Sequence, residues 1–461
     1  MNTPRIFISA AHKSSGKTTI SIGLCAAFRS IGKKVSPFKK GPDYIDPIWL
    51  SHAAGEACYN LDFYTSDREE ILNEITSHGR HSDISIIEGN KGLYDGLDLD
   101  GSNSNAALAV LSKTPVILVI DSRGMTRGIA PLILGYQAFD PDIVIAGVIL
   151  NNVGGTRHES KLQNVIEHYT DVPVVGAVHN NQRLHLPERH LGLQPGNEYG
   201  EVEKKINKIG EIIASQVDID RLAEIAASAG PITGQISSVK KAANNRILRI
   251  AIARDAAFNF YYQNDLDAFA ECGSKLIVFD TLHDNKLPQD IDALFIGGGF
   301  PETQMEKLAA NSQLRQEIHK RIENGLPVYA ECGGLMYLSR SIEWQHKKYA
   351  MVGIIPADAV MHKKPQGRGY VRMKKTDTFP WQNTTDVNNI IKAHEFHYSS
   401  LENLADTAEF GLQVLRGAGI DGKYDGIVYK NMFACYTHQR NTRSNPWVTI
   451  FTDFVRTKIE C

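Results

Sequence analysis

The residues with the most specific chemical meaning lie close to the N-terminus. Residues 11–18 read AHKSSGKT and follow the apolar, strand-like run RIFISA that begins at Arg5. They match the P-loop pattern G-x-x-x-x-G-K-[ST], except that Ala11 replaces the first glycine. Backbone amides of such a loop bind phosphate, its lysine neutralises the outer phosphates, and its threonine ligates Mg²⁺. The pattern predicts a phosphate site, rather than an ordinary serine-rich turn, at Lys13, Ser14, Ser15, Gly16, Lys17, Thr18 and Thr19.

Acidic residues follow two further predicted strands and could reach a magnesium ion on the bound phosphates. Glu88 ends the apolar run ISIIE, a Walker-B-like position, and Asp95 lies in the loop beyond it. A solvated loop acid is the alternative, and it fits Asp95 better than Glu88. The segment 37–47, PFKKGPDYIDP, suits Mg²⁺ together with an anionic substrate, although a solvated turn would have a similar composition. Its charged residues are Lys39, Lys40, Asp43 and Asp46.

A second set of reactive residues lies in the C-terminal half. Cys332 stands between the apolar run PVYAE and a helical pattern, and Gly333 and Gly334 follow it. A sharp strand-to-helix turn of this kind exposes a nucleophile at a helix N-terminus, which lowers the pKa of a thiol. A buried structural cysteine is the alternative. We expect an oxyanion hole formed by the backbone of the glycine-rich segment FIGGGFPE, at Gly298 and Gly299, together with Gly333.

A cysteine nucleophile needs a base, which can come from a distant part of the chain. His438 follows the apolar run FACYT near the C-terminus. The segment KAHEFHYSS carries His394 and His397, which are equal rivals for this role. Among sixteen histidines, the residue pattern alone leaves the choice open.

Two α/β domains are predicted to position these residues. A chain of 461 residues exceeds what a single hydrophobic core usually serves. Short β-branched runs alternate with helical patterns from Arg5 to Ala229 and restart at Ile247, which indicates parallel strands with helical crossovers. We predict a doubly wound parallel sheet in residues 1–229, a linker in 230–246 and a second α/β domain in 247–461.

The composition excludes several classes of function. A net charge of −2 provides no basic field for nucleic acid, and no apolar run approaches the ~20 residues needed to cross a bilayer. Six cysteines without a C-x-x-C pair fit neither a disulfide framework nor a zinc site, and the first residues do not resemble a signal peptide. We therefore expect a cytoplasmic protein whose partners are small molecules, with a homodimer as the default assembly.

Taken together and in order, the motifs resemble those of the cobyrinic acid a,c-diamide synthases over nearly the whole chain. They are AHKSSGKTT from Ala11, FKKGPDYIDP from Phe38, EGNKGLYDG from Glu88, LPERHLGL from Leu186, RDAAFNFYY from Arg254, GGGFPE from Gly297, AECGGLMYL from Ala330, KPQGRGYV from Lys364, HEFHYS from His394 and the final His438. CTP synthase and cobyric acid synthase share the domain order. The motifs PERHLGL and HEFHYS argue against CTP synthase, and GLYDG argues against cobyric acid synthase.

The resemblance implies a dethiobiotin synthetase-like N-terminal domain and a class I glutamine amidotransferase domain after it. It implies that ATP phosphorylates the a and c acetates of a tetrapyrrole, and that ammonia from glutamine displaces the phosphate. Cys332 would then form the glutamyl thioester, with His438 as its proton-transfer partner. ATP and Mg²⁺ would be held at Lys17 and Thr18. The further roles implied are magnesium contacts for Asp46 and Glu88, and a substrate-activating site at Asp43, Tyr44 and Asp95.

Departures from the family pattern concern the base and the acceptor. Arg440 stands where most class I glutaminases have the glutamate that orients the histidine, an acid that this family usually lacks. Lys40, Asn90 and Lys91 replace residues that are usually apolar. We hypothesise that Lys40 and Lys91 contact substrate carboxylates, which leaves cobyrinic acid and sirohaem as acceptors, with nickel-sirohydrochlorin third. A P-loop ATPase switch without a product is the remaining alternative, and it would have no use for Cys332.

Overall fold

A computed structural model describes residues 3–186, 201–234, 246–381 and 390–459, with the backbone of two short strands between 188 and 193. The chain forms two compact units, Met1–Ser237 and Ser238–Cys461. The first unit thus extends beyond Ala229, and Ile232 is buried in its core. Residues 235–245 of the predicted linker lie outside the described ranges, as do the side chains of LPERHLGL after its first leucine. The predicted domain limits stay a prediction.

The first unit contains nine strands and eight α-helices in the part of the chain that the structure describes. The strands are β1 (Arg5–Ala10), β2 (Val35–Lys40), β3 (Tyr59–Leu61), β4 (Ile84–Glu88), β5 (Val116–Asp121), β6 (Ile145–Val153), β7 (Val174–His179), β8 (Glu188–Arg189) and β9 (Gly192–Leu193). The helices are α1 (Lys17–Ser30), α2 (Ile45–Ala54), α3 (Arg68–Gly79), α4 (Asn105–Leu111), α5 (Ile129–Phe139), α6 (Thr156–Tyr169), α7 (Val202–Gln216) and α8 (Ile219–Ala227).

Seven of these strands form a parallel sheet in the order β3-β2-β4-β1-β5-β6-β7. Every residue of β1 and β2 is buried, because helices cover both faces of the sheet. Helices α1, α2, α7 and α8 pack on one face and α3 to α6 on the other. The strand order reverses around β1, so the loops that follow β1, β2 and β4 meet at the carboxyl edge, where α/β sheets bind ligands.

The second unit contains fifteen strands and five α-helices among its described residues. The strands are β10 (Leu248–Ala253), β11 (Phe258–Phe260), β12 (Ser274–Phe279), β13 (Ala293–Ile296), β14 (Gly298–Gly299), β15 (Val328–Glu331), β16 (Ser339–Trp344), β17 (Lys347–Ala350), β18 (Ile355–Met361), β19 (Gly367–Lys375), β20 (Ile390–His397), β21 (Ser399–Glu402), β22 (Glu409–Arg416), β23 (Tyr424–Tyr429) and β24 (Met432–Cys435). The helices are α9 (Gln263–Glu271), α10 (Met305–Ala310), α11 (Ser312–Glu323), α12 (Gly333–Leu338) and α13 (Trp447–Ile459).

The main sheet of the second unit is mixed. Its order is β12-β10-β13-β15-β24-β23-β22-β19-β20. The first five strands in this order pair in parallel. The pairs from β24 to β20 are antiparallel. Helices α10, α11 and α12 share a core with one face, and α9 and α13 share a core with the other. The predicted α/β class is confirmed for both units. Within the described ranges no helix is long and apolar enough to cross a membrane.

Candidate active sites

The phosphate loop connects β1 to α1 and has a strained backbone. Ser14 and Gly16 have φ values of 66° and 89°, a left-handed conformation that favours glycine. A Cβ atom at Gly16 would lie 2.1 Å from Nδ2 of Asn151. That nitrogen donates to the Ser15 carbonyl at 2.9 Å, and the Ser15 hydroxyl donates to the His12 carbonyl at 2.9 Å. Asn151, at the end of β6, therefore holds the loop and was not predicted from the sequence.

The first residues of α1 meet acids from two neighbouring elements. The Thr18 hydroxyl donates to Glu88 Oε1 at 2.7 Å and to Asp46 Oδ2 at 3.3 Å. Lys39 Nζ contacts the same two oxygens, at 2.9 Å for Glu88 and 2.5 Å for Asp46. Lys17 is buried nearby, whereas Lys13 is exposed and Thr19 half-buried. The structure thus brings Thr18, Asp46 and Glu88 together, with Lys39 between the two carboxylates.

The charges in this cluster are strongly perturbed by burial. Glu88 is fully buried, and burial raises its pKa even though Lys39 lies beside it. Burial alone would lower the pKa of Lys39, but the carboxylates of Asp46 and Glu88 raise it above the ordinary lysine value. Burial lowers the pKa of Lys17 to about 8. It raises the pKa of Asp43 to about 7, with help from the negative charge of Asp46.

The oxygen atoms of this cluster suit Mg²⁺. Thr18, Asp46 and Glu88 supply a hydroxyl and two carboxylates, and Mg²⁺ is usually bound by one or two carboxylates together with substrate phosphates and water. Glu88 Oε2 is buried and has no hydrogen-bond partner among the described residues. No group of three or more His, Cys, Asp and Glu side chains in the described ranges could hold a metal by itself. Phosphate and water oxygens would therefore have to complete the coordination.

Two loops at the same sheet edge carry the other predicted substrate residues. Asp43 Oδ1 accepts from the backbone amides of Ile45 and Asp46, at 2.8 and 3.1 Å, and so fixes the start of α2. Asn60 Nδ2 donates to the carbonyls of Gly41 and Asp43, both at 2.8 Å. Tyr44, between these contacts, is buried. The segment from Gly41 to Asp46 is therefore held on both sides.

The loop after β4 is organised by Asn105, a buried residue of α4 that was not predicted. Its Nδ2 donates to the carbonyls of Asn90 and Gly92, at 2.9 and 2.8 Å, and its Oδ1 accepts from the Asn90 amide at 3.2 Å. Asp95 Oδ2 accepts from the Gly92 amide at 2.9 Å and is exposed, as is Lys91. Lys91 and Asp95 are thus presented to solvent by a fixed loop.

Lys40 differs from its neighbour Lys39 in its contacts and in the carboxylates that lie near it. It is buried, and its Nζ lies 3.5 Å from Oδ1 of Asn90. Burial lowers its pKa to about 8, an effect that Asp62 opposes and that Lys91 and Lys39 reinforce. Two of the departures from the family pattern, at positions 40 and 90, are therefore in contact. Whether Lys40 binds substrate stays a prediction.

In the second unit, Cys332 occupies a strained turn between β15 and α12. Its φ and ψ are 47° and −100°, and its amide donates to the Cys435 carbonyl of β24 at 2.7 Å. A Cβ atom at Gly334 would lie 2.2 Å from the Ile296 carbonyl oxygen, so the start of α12 packs directly on β13. Backbone strain of this kind is maintained only where surrounding contacts over-determine it, as at active sites.

The three glycines of the predicted oxyanion hole lie around this turn. A Cβ atom at Gly333 would be 3.0 Å from the Gly299 amide nitrogen, and one at Gly298 would be 2.6 Å from Cε1 of His438. Gly299 has a φ of 157°, and a Cβ there would meet the Ala257 carbonyl at 2.0 Å. Close approach of the Ala257 carbonyl therefore requires glycine at position 299, whereas the His438 ring leaves no room for a Cβ at 298 and the Gly299 backbone leaves little at 333.

Of the three candidate histidines, His438 is the one that interacts with Cys332. Burial alone would lower its pKa, but the thiolate of Cys332 and the carboxylate of Glu331 raise it to about 10. His394 stacks on the His438 ring with centroids 4.9 Å apart, and burial together with the charge of His438 lowers its pKa. His397 instead bonds the Ser399 carbonyl at 2.8 Å. The structure thus separates candidates that the residue pattern alone left equal.

Comparison with known proteins identifies the domain type of each unit. Residues 6–193 match a CobQ/CobB/MinD/ParA nucleotide binding domain, and residues 249–446 match a CobB/CobQ-like glutamine amidotransferase domain. The chain is 43% identical to the cobyrinate a,c-diamide synthase of Magnetococcus marinus, over 98% of this chain and 97% of that one. It is 41% identical to that of Methanosarcina acetivorans, over 94% and 92%, and 40% identical to that of Archaeoglobus fulgidus, over 95% and 94%. The chain therefore belongs to the cobyrinate a,c-diamide synthase family, ligases with a glutamine amidotransferase domain.

Proposed function

We propose that this enzyme uses ATP and glutamine to convert the a and c acetates of cobyrinate into amides. The observation that carries the proposal is the pairing of Cys332, on its strained turn, with His438 in a chain whose other unit holds a P-loop beside two acids. The first arrangement suits the release of ammonia from glutamine, and the second suits the activation of a carboxylate. The cobyrinate a,c-diamide synthases that match nearly the whole chain support cobyrinate as the acceptor.

In the glutaminase half-reaction, the Cys332 thiolate attacks the side-chain amide carbon of glutamine. A carbon–sulfur bond forms, and the carbon–nitrogen bond breaks as His438 gives a proton to the leaving nitrogen, which departs as ammonia. Water then attacks the thioester, His438 accepts its proton, and glutamate leaves as the sulfur is released. Backbone amides near Gly299 and Gly333 stabilise the oxyanion that develops in both steps.

In the ligase half-reaction, an oxygen of the acceptor carboxylate attacks the γ-phosphorus of ATP, and ADP departs. Ammonia then attacks the acyl carbon, phosphate leaves with the carbon–oxygen bond electrons, and the nitrogen loses a proton. The P-loop amides and Lys17 hold the phosphates, while Thr18, Asp46 and Glu88 would hold Mg²⁺, which neutralises phosphate charge when bound. Asp43, Tyr44 and Asp95, on the adjoining loops, orient the acceptor.

Sirohaem is the second candidate acceptor, with nickel-sirohydrochlorin after it. The observation that favours a different tetrapyrrole is the cation and amide pair at Lys40 and Asn90, with the exposed Lys91 on the same loop. Additional polar groups here would bind additional carboxylates. Lys40→Val and Lys91→Ala should each raise the KM for the tetrapyrrole and leave glutamine hydrolysis unchanged. An unaltered KM in both variants would remove this reason for preferring sirohaem.

The test of the main proposal is to offer cobyrinate and sirohaem separately, with ATP, Mg²⁺ and glutamine, and to count amides by mass spectrometry. Cys332→Ser should abolish glutamate release but still amidate when ammonium chloride is supplied. Lys17→Ala should abolish amidation with either nitrogen source. If Cys332→Ser hydrolyses glutamine at the parent rate, the assignment of the glutaminase site is wrong. If neither tetrapyrrole gains an amide, the assignment of the acceptor is wrong.

Three expectations about the protein's surroundings stay predictions. They are its cytoplasmic location, a homodimeric assembly and the absence of a nucleic-acid partner. The location follows from the cysteine content and the first residues, the homodimer from the prevalence of symmetric dimers, and the absence of nucleic acid from the net charge.

A further inference from the structure

The residue that precedes the candidate nucleophile carries a buried carboxylate aimed at the candidate base. Glu331 ends β15 and is 3% exposed. Its Oε2 lies 3.6 Å from Nδ1 of His438. The nucleophile Cys332 and this carboxylate are adjacent in sequence, so one turn of the backbone places both beside the same imidazole.

The orientation of the Glu331 side chain is fixed by its other oxygen. Oε1 accepts a short hydrogen bond from the Tyr329 hydroxyl and one of 2.9 Å from the Gln439 backbone amide. The Gln439 side chain in turn donates to the Tyr329 hydroxyl at 3.0 Å and accepts from Asn445 at 3.2 Å. Hydrogen bonds to one oxygen leave the other directed at His438. They also tie Glu331 to the residue that follows the histidine.

A carboxylate from the segment of His438 itself is not available for this role. Arg440, two residues after the histidine, is a cation whose guanidinium lies over the Tyr262 ring, with a contact of 3.4 Å to Asn264. The ionisable groups that face His438 include Cys332 and Glu331 from β15 and its turn, and His394 from β20. The Tyr262 hydroxyl lies 3.1 Å from Nδ1 of His394. Burial would otherwise favour the neutral imidazole, so the negative groups decide its charge.

We propose that Glu331 is the positioning residue of the glutaminase, which orients the His438 imidazole and keeps it protonated beside the Cys332 thiolate. The inference rests on the proposed glutamine hydrolysis at Cys332. It assigns to the residue before the nucleophile a role that Arg440 cannot perform. Because Glu331 acts through His438, it governs the proton transfers and not the binding of glutamine.

Glu331→Gln tests the role of the charge. The amide keeps an acceptor for Tyr329 and Gln439 but loses the negative charge near His438. We expect glutaminase kcat to fall on the order of 100-fold, the usual weight of a positioned acid–base group, with the KM for glutamine little changed. The alkaline limb of kcat/KM against pH should move down by about one unit, because an opposite charge this close raises a pKa by about 1–3 units.

Two matched variants separate positioning from a structural effect. Asp425→Asn removes another buried carboxylate of the same unit, which binds the backbone of Tyr436 and Thr437. It should lower thermal stability without moving the alkaline limb. If Glu331→Gln does not fold, Glu331→Asp retains the charge one methylene farther away and should lower kcat with a smaller displacement of the limb.

The outcomes distinguish this inference from the proposed function. Amidation supported by ammonium chloride should be unchanged in every Glu331 variant. If Cys332→Ser is inactive with glutamine while Glu331→Gln retains the parent kcat and pH profile, the positioning role is overturned and the glutaminase stands. If Cys332→Ser is itself active, both are overturned.

Discussion

Lys39 lies between two carboxylates at the candidate ligase site, and its charge supports the burial of one of them. Glu88 is fully buried and contacts Lys39 at 2.9 Å. Lys39→Met would leave the Glu88 carboxylate buried without this partner, which costs about 3–5 kcal/mol. We expect the free energy of unfolding of the first unit to fall by this amount. Denaturant titration followed by circular dichroism measures it.

The double variant Lys39→Met/Glu88→Gln is the control. Removing both charges should restore most of the lost stability. Amidation should be absent in the double variant, and glutamine hydrolysis should be normal.

The contribution of Glu88 to stability depends on pH with a definite sign. Because burial raises the pKa of Glu88, its contribution to stability is complete below the ordinary carboxyl pKa and is lost as the pH rises through the raised value. A single variant that is no less stable than the double at neutral pH would contradict this account.

Gly298 tests the packing between the oxyanion segment and the base. A Cβ atom there would lie 2.6 Å from Cε1 of His438, well inside van der Waals contact. Gly298→Ala should therefore displace the imidazole and reduce glutaminase kcat on the order of 100-fold, because a misplacement near 1 Å has effects of that size. Ammonium-supported amidation should be unaffected. Gly135→Ala on α5, where a Cβ meets nothing within 4 Å, should leave both activities intact, and equal activity of the two variants would refute the argument.

At the scale of elements, the sequence was sufficient to predict strands and turns wherever local pattern and motif agree. The parallel strands of both units and the glycine-rich turns were predicted because uninterrupted β-branched runs and P-loop spacing are local signals. The sequence singled out Lys40 as a substrate contact and gave Lys39 no role of its own, because the importance of Lys39 depends on register: β2 pairs with β4 so that Lys39 stands opposite Glu88. The choice of His438 over His394 and the part played by Glu331 likewise depend on strand pairing between residues far apart in the chain.

The loop that joins β4 to α4 gives a prediction at this scale. Asn105 holds it by donating to the carbonyls of Asn90 and Gly92, and an aspartate cannot donate. Asn105→Asp should therefore release the loop and raise the KM for the acceptor about tenfold or more, since buried carbonyls left without donors cost about 1–3 kcal/mol. Steady-state kinetics with saturating ATP measures this. Glutamine hydrolysis should be normal, and an unchanged acceptor KM would show that the loop does not position substrate.

At the scale of the whole molecule, each unit has its own sheet, with a hydrophobic core on either face. Units with separate cores are expected to unfold as separate cooperative transitions. A non-hydrolysable ATP analogue with Mg²⁺, at about 100 times its Kd, should stabilise the first unit by about 2.7 kcal/mol. In differential scanning calorimetry it should raise the midpoint temperature of only one of the two transitions.

Asp425→Asn should instead change the thermal transition of the second unit alone. Asp425 is fully buried and accepts from the amides of Gly426, Tyr436 and Thr437 and from the Thr437 hydroxyl, at 2.6 to 3.0 Å. An asparagine presents an NH₂ group to some of these donors, so the second unit should lose about 1–3 kcal/mol. The transition that the ATP analogue raises should keep its temperature in this variant. If ligand and substitution instead move one common transition, the two units unfold as a single cooperative structure, because the stability of each is then transmitted to the other.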